Sequence, residues 1–160
     1  MPSEDIDLKR VVETLNRHGV RYVVIGGLAV YLHGGETPTL DVDLAFAQSD
    51  ENIERLSNAL ADLGARPKRG QGTSFRLAKT DLVSWLHLES EAGDIDLIAK
   101  PPGATFEAID EEHIEFDLDG VLLRVASPES LIQMKRKAGR PRDMRHVEEL
   151  EAIRKLNERQ

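Results

Sequence analysis

Residues 26–46 read GGLAVYLHGGETPTLDVDLAF. Two adjacent glycines open the stretch and a short apolar run follows. A second glycine pair then leads into Asp41 and Asp43, with only Val42 between them. Side chains alternate across a strand, so LDVDLAF (40–46) sends Leu40, Val42 and Leu44 to one face and Asp41, Asp43 and Ala45 to the other. Two carboxylates sharing a face converge on one volume and repel unless a cation or water lies between them. Oxygen-only ligands suit a hard ion such as Mg²⁺, which takes one or two carboxylates together with substrate phosphates.

The pattern recurs downstream. GDIDLI (93–98) places Asp94 and Asp96 on one face of a second strand, flanked by Ile95, Leu97 and Ile98. A third carboxylate from a neighbouring strand is what a two-metal phosphoryl-transfer site requires, and it can double as general base for an attacking hydroxyl. A lone Asp-x-Asp is usually a solvated strand edge; two such units and a preceding glycine turn shift the reading to a site. RYVVI (21–25) reads as a strand running into Gly26-Gly27 and a short helix. That junction offers backbone N–H groups to a phosphate, although a tight strand–helix turn needs glycine in any case.

The flanks complete an α/β pattern. Ile6, Val11, Val12 and Leu15 have helical spacing over 5–18, with Gly19 as the stop. Ser49 or Asp50 caps a helix through about Leu63, its stripe being Ile53, Leu56, Leu60 and Leu63. KRGQGTS (68–74) is a basic loop in which Lys68 and Arg69 are available to an acceptor. SFRLA (74–78) and VSWLHLE (83–89) read as paired strands, with Trp85 in the core and His87 without a role. Asp119-Gly120 is a hairpin turn signal. Ser127-Pro128 opens a helix over 128–138, and a last helix runs from Arg142 to about Asn157. One domain, 1–160, is expected: a core over 5–126 with a mixed sheet, and C-terminal helices over 128–157.

Composition sets outer limits. The 160 residues carry no cysteine, which excludes disulfides and thiolate metal sites, and a net charge of −8, which argues against bulk nucleic-acid binding. Lys135, Arg136, Lys137, Arg140, Arg142 and Arg145 crowd together in the C-terminal segment, as a solvated helix face or a local anion site. The acidic, polar N-terminus does not read as a signal peptide, and no apolar run approaches the ~20 residues of a membrane helix. A cytoplasmic location without membrane contact is the expectation.

Ile25-Gly26-Gly27, a twelve-residue spacer, Leu40-Asp41-Val42-Asp43-Leu44 and the later Ile95-Asp96-Leu97 together resemble the DNA polymerase β-like nucleotidyltransferase superfamily. HGGETPTLDVDL and SPESLIQMKRKAGRPRDMRHVEEL resemble its small bacterial members, the minimal nucleotidyltransferases and AbiE-type toxins. The resemblance spans roughly residues 8–153. It implies a nucleotidyltransferase fold and two Mg²⁺ ions, with Mn²⁺ as a substitute, on the catalytic acids Asp41, Asp43 and Asp96. Asp94 is the alternative third acid. It implies a nucleoside triphosphate, ATP among the candidates, against Gly26, Gly27 and Thr39, with Lys135 and Arg140 reaching phosphates from the C-terminal helices. Lys135 reads equally well as a solvated lysine, and Arg140 and Asp143, three apart, as an ion pair that fixes a helix start. Two positions depart from the relatives' pattern. Thr37 stands where an arginine is common, and His146 where a second aspartate is. Gly27 stands where many active transferases carry serine.

The implied reaction moves a nucleoside monophosphate to a hydroxyl on a protein, a tRNA end or a small molecule, within a toxin–antitoxin or defence pair that would supply a cognate protein partner. A catalytically degenerate nucleotide- or partner-binding module is the alternative. A Mg²⁺-dependent nuclease is a weaker one, since a nuclease has no need of a triphosphate cradle.

Overall fold

The computed structural model describes residues 6–68, 75–82 and 84–159. Asp7 caps α1 (Leu8–Arg17) by accepting the Arg10 N–H, and Val11, Val12 and Leu15 fill its buried side. β1 (Tyr22–Ile25) is buried along its whole length and turns directly into α2 (Gly26–Leu32). β2 (Asp41–Phe46) follows, then α3 (Asp50–Asp62), whose N-cap Ser49 accepts the Asn52 N–H. β3 is the two-residue strand Arg66–Pro67, β4 spans Trp85–Ser90 and β5 spans Gly93–Ile98. After α4 (Phe106–Glu111), β6 (Ile114–Leu118) and β7 (Val121–Val125) form a hairpin. Its two turn residues, Asp119 and Gly120, both have positive φ, as an Asp-Gly turn between twisted strands demands. α5 (Pro128–Ala138) starts on Ser127 and Pro128, and α6 (Pro141–Glu158) closes the described chain.

The seven strands among the described residues lie in the order β3-β4-β5-β2-β1-β7-β6. β2 pairs antiparallel with β1 and parallel with β5, and β1 pairs parallel with β7. The sheet is therefore mixed, and the α/β architecture with a helical C-terminus matches the expected fold class. The inner strands supply the core: Ile95 and Leu97, Val42 and Leu44, Val23 and Val24, Leu123 and Val125 are all buried. Full burial of such side chains is worth about 1.5–3 kcal/mol each. α1 packs on β7 and α3, while α5 and α6 pack on each other and on α2. That arrangement holds the C-terminal helices against the Gly26-Gly27 turn.

Some expectations need correction. Phe75–Ala78 is not a strand. Arg66–Pro67 already pairs with Leu88–Glu89 on the outer edge of β4, and Leu77 instead donates its N–H to Ser57 Oγ on α3. Arg66–Pro67 and α4 went unread, the first too short for a periodic signal and the second hidden behind Pro101-Pro102-Gly103. Trp85 is 62% exposed and not core, because the edge face of β4 carries no covering element among the described residues. Beyond Lys68 and Phe75, the basic loop expected over 68–74 and the start of the strand expected over 74–78 lie outside the described residues.

Candidate active site

The register of β2 on β5 sets Asp41 opposite Asp94 and Asp43 opposite Asp96. Parallel neighbours about 4.8 Å apart, in step, present both Asp-x-Asp units to the same side. Asp96 is buried at 5% exposure, Asp41 and Asp43 are half-buried, and Asp94 stands at the rim, where Lys68 Nζ reaches its Oδ2 at 2.9 Å. The sequence left open which of Asp94 and Asp96 joins the first pair. The structure puts Asp96 beside Asp43 and gives Asp94 to Lys68.

Crowding shows in the protonation behaviour. Burial, then the charges of Asp96 and Asp94, raise Asp41 above the ordinary carboxylate range. Burial, the charge of Asp96 and a hydrogen bond with it push Asp43 up to about 7, against an opposing pull from Lys135. A fold tolerates such a cluster where something cationic relieves it.

The glycine turn adjoins this cluster. Ile25 pairs with Asp43 across β1 and β2, so Gly26 is the next residue along. Gly26 has φ +74°, and a Cβ there would overlap the Asp43 carboxylate. Both the backbone conformation and the close approach require glycine. A Cβ on Gly27 would stand 2.8 Å from Thr39 Cγ2, so a serine at this position would need Thr39 to shift. Thr39 itself donates through Oγ1 to the Asp41 carbonyl at 3.2 Å, tying the loop to the start of β2.

Lys135 is 9% exposed and Asp143 is 0% exposed. Lys135 Nζ lies 3.3 Å from Asp143 Oδ1, so the solvated reading of this lysine is wrong. Burial pulls Lys135 below the ordinary lysine range, partly offset by Asp143 and Asp43. Arg140 Nε donates to Asp143 Oδ2 at 2.6 Å and its backbone N–H to the same oxygen at 3.1 Å. This is the ion pair at a helix start that the spacing predicts. Burial raises Asp143, but the Arg140 hydrogen bond and the Lys135 charge outweigh it and hold the carboxyl below its usual value. On the next turn of α6, His146 Cε1 comes within 3.9 Å of where a Gly27 Cβ would sit, and its Nδ1 is buried with no hydrogen-bond partner among the described residues. His33 donates through Nε2 to the Ala126 carbonyl at 2.8 Å and meets Phe116 edge-on, which makes it a packing residue.

His87 was missed. It pairs with Asp96 across β4 and β5, its Nδ1 contacts Asp96 Oδ1, and its Nε2 is 4.0 Å from Asp94 Oδ2. The signal was available in the period-two spacing of Trp85 and His87, but the register that aims His87 at Asp96 is a long-range property.

Among the described residues no three carboxylates or histidines form a ready-made metal-ligand set. The donor chemistry nonetheless fits a hard dication. Asp41, Asp43 and Asp96 offer only oxygen, and Asp43 is crowded by two like charges with Lys135 as the opposing one.

A model of the family "Nucleotidyl transferase of unknown function (DUF2204)" matches residues 4–160. A search of the curated proteins returns no match. Among solved structures, the lincosamide antibiotic adenylyltransferase LnuA with lincomycin bound is similar over 93% of this chain and 99% of that one, with TM-score 0.61 and 17% identity. An antigenic nucleotidyltransferase-like protein from Paracoccidioides brasiliensis is similar over 94% of this chain and 77% of that one, with TM-score 0.59 and 16% identity. ANT(2'')-Ia in complex with adenylyl-2''-tobramycin is similar over 93% of each chain, with TM-score 0.54 and 15% identity. At such identities the likeness carries the fold, and the family match carries the membership. Paired Asp-x-Asp strands beside a Gly-Gly turn, on this fold, thus belong to a nucleotidyltransferase of the DUF2204 family.

Proposed function

We propose that this chain moves a nucleoside monophosphate from a nucleoside triphosphate to a hydroxyl acceptor, with Asp41, Asp43 and Asp96 holding two Mg²⁺ ions that Mn²⁺ can replace. The observation that carries this reading is the β1–β2–β5 register, which sets the two Asp-x-Asp units side by side one residue from Gly26. When bound, Mg²⁺ supplies the charge neutralisation that reaction at an anionic triphosphate needs.

The chain's own residues do the rest. The backbone N–H groups of Gly26 and Gly27 donate to phosphate oxygens, and the missing side chains leave room for that approach. Lys135 adds positive charge from α5 on the same side as Asp43. Thr39 steadies the loop beside Gly27. Arg140 acts on phosphate mainly by fixing Asp143, and through it Lys135. The acceptor oxygen attacks the α-phosphorus while the bond from that phosphorus to the bridging β-oxygen breaks. Pyrophosphate leaves, and the Asp96 carboxylate takes the hydroxyl proton.

LnuA is a lincosamide antibiotic adenylyltransferase and ANT(2'')-Ia an antibiotic-resistance factor, which favours a small hydroxyl-bearing acceptor over a protein or tRNA end. A place in a toxin–antitoxin pair, with a cognate protein partner, rests on the sequence resemblance alone. Thr37 and the tight fit of Gly27 against Thr39 favour the second reading, a module that binds nucleotide without turnover. Calorimetry with ATP, CTP, GTP and UTP, with and without Mg²⁺, tests both. We expect Mg²⁺-dependent binding of at least one nucleotide, lost in the D41A/D43A variant. Equal binding by wild type and variant sinks the catalytic reading.

A further inference from the structure

We infer that His87 is a positioning residue: it holds the Asp96 carboxylate in the site. The inference rests on the reading of Asp41, Asp43 and Asp96 as the cation-binding acids.

Two aspartates on β5 face the same side, and either one satisfies the sequence pattern for the third acid. The β2–β5 register selects Asp96, and His87 fixes its carboxylate. His87 is the β4 register partner of Asp96, and its ring projects between the two carboxylates. Nδ1 contacts Asp96 Oδ1, while Nε2 stops 4.0 Å short of Asp94 Oδ2. Lys68 holds Asp94 from the other side at 2.9 Å. The ring is 31% exposed and Trp85, two residues along the same strand face, flanks it with ring centroids 6.0 Å apart. One oxygen of Asp96 is therefore fixed by His87, which leaves the other to a cation beside Asp43, its register partner across β2 and β5. A carboxylate pinned at one oxygen loses less freedom when a cation arrives at the other, and partners that orient a ligand in this way typically change metal affinity by about 10–100-fold.

The geometry makes a specific demand on the replacing side chain. The amide nitrogen of asparagine takes the place of a histidine Nδ1, and that of glutamine takes the place of Nε2. Mn²⁺ binding in the absence of nucleotide, read by electron paramagnetic resonance, is the measurement, with D96A, D94A, H87A, H87N and H87Q beside wild type. We expect H87N to bind Mn²⁺ within about threefold of wild type, and H87A and H87Q to bind about tenfold or more weakly. D94A should stay close to wild type and D96A should lose the site. Thermal midpoints should be alike for the His87 variants, which separates positioning from folding. If wild type binds and D96A does not, but H87A binds as wild type does, the role of His87 is refuted while the carboxylate site stands. If wild type fails to bind Mn²⁺, the carboxylate reading falls and takes this inference with it.

Discussion

Two aspartates act on the charge of Lys135, and their surroundings are opposite. Asp143, between α5 and α6, is fully buried and faces cations: Arg140 at 2.6 Å and Lys135 at 3.3 Å. Asp43, on β2, faces carboxylates, and only the more distant influence of Lys135 opposes them. The first is held below its usual protonation range and the second is pushed up to about 7. The contrast separates a group that completes a fold from one that is incomplete without a ligand. Asp143 has every partner it needs within the chain, and its work is to lock the two C-terminal helices and aim Lys135. Asp43 is stable in its place only as far as the rest of the protein forces it to be, which is the condition of a group waiting for a cation.

The largest expected effect breaks the Asp43 side. Replacing both acids in D41A/D43A should reduce nucleotidyl transfer by about 10³-fold or more, because charge neutralisation supplies most of the catalysis in phosphoryl transfer. The same variant should melt no lower than wild type in metal-free buffer, since the burial and repulsion it relieves outweigh the attractions to Lys135, His87 and Lys68 that it gives up. Breaking the Asp143 side should do the reverse. D143A leaves Lys135 buried without its partner and should cost about 3–5 kcal/mol of stability by chemical denaturation. If D143A proves harmless to stability, the division between the two aspartates collapses.

pH gives the same contrast a sign. Asp143 has a depressed folded-state value, so its stabilisation is present above the unfolded value near 4 and fades as pH falls through the folded one. The stability gap between wild type and D143N should therefore close in acid. Asp43 has a raised value, so its ionisation costs stability as pH climbs from about 4 to about 7. Metal-free D43N should lack that decline, and Mg²⁺ should stabilise wild type more at pH 8 than at pH 5. Melting curves across pH check both statements.

Smaller effects test the edges of the site. Gly26→Ala forces a left-handed backbone on a residue with a Cβ and presses it onto Asp43, which should cost about 1–3 kcal/mol and impair Mg²⁺ binding. Trp85→Ala, on an exposed ring, should change stability by less than about 0.5 kcal/mol.

The sequence was most readable where the physics is local. Alternation alone placed Asp41 and Asp43 on one face, Asp119-Gly120 marked its hairpin, and Ser127-Pro128 marked the start of α5. Arg140 and Asp143 were close enough in the chain to be paired by spacing. What escaped depends on partners far away in sequence. Nothing local to Trp85 says that β4 lies near a sheet edge, and nothing local to Phe75 says that Arg66–Pro67 has already taken that edge. The sequence leaves Lys135 equally a phosphate contact or a solvated lysine, and its burial beside Asp143 of α6 is a tertiary property. His87 acquired a role only through the β4–β5 register.

The most direct test of the central claim follows the α-phosphorus. Wild type and D41A/D43A would be incubated with Mg²⁺, cell extract and nucleotide labelled at either the α or the γ position. We expect the α label to appear on an acceptor, with pyrophosphate released in equal amount, in wild type alone. Transfer of the γ label, or equal α-labelling by the variant, would contradict the account.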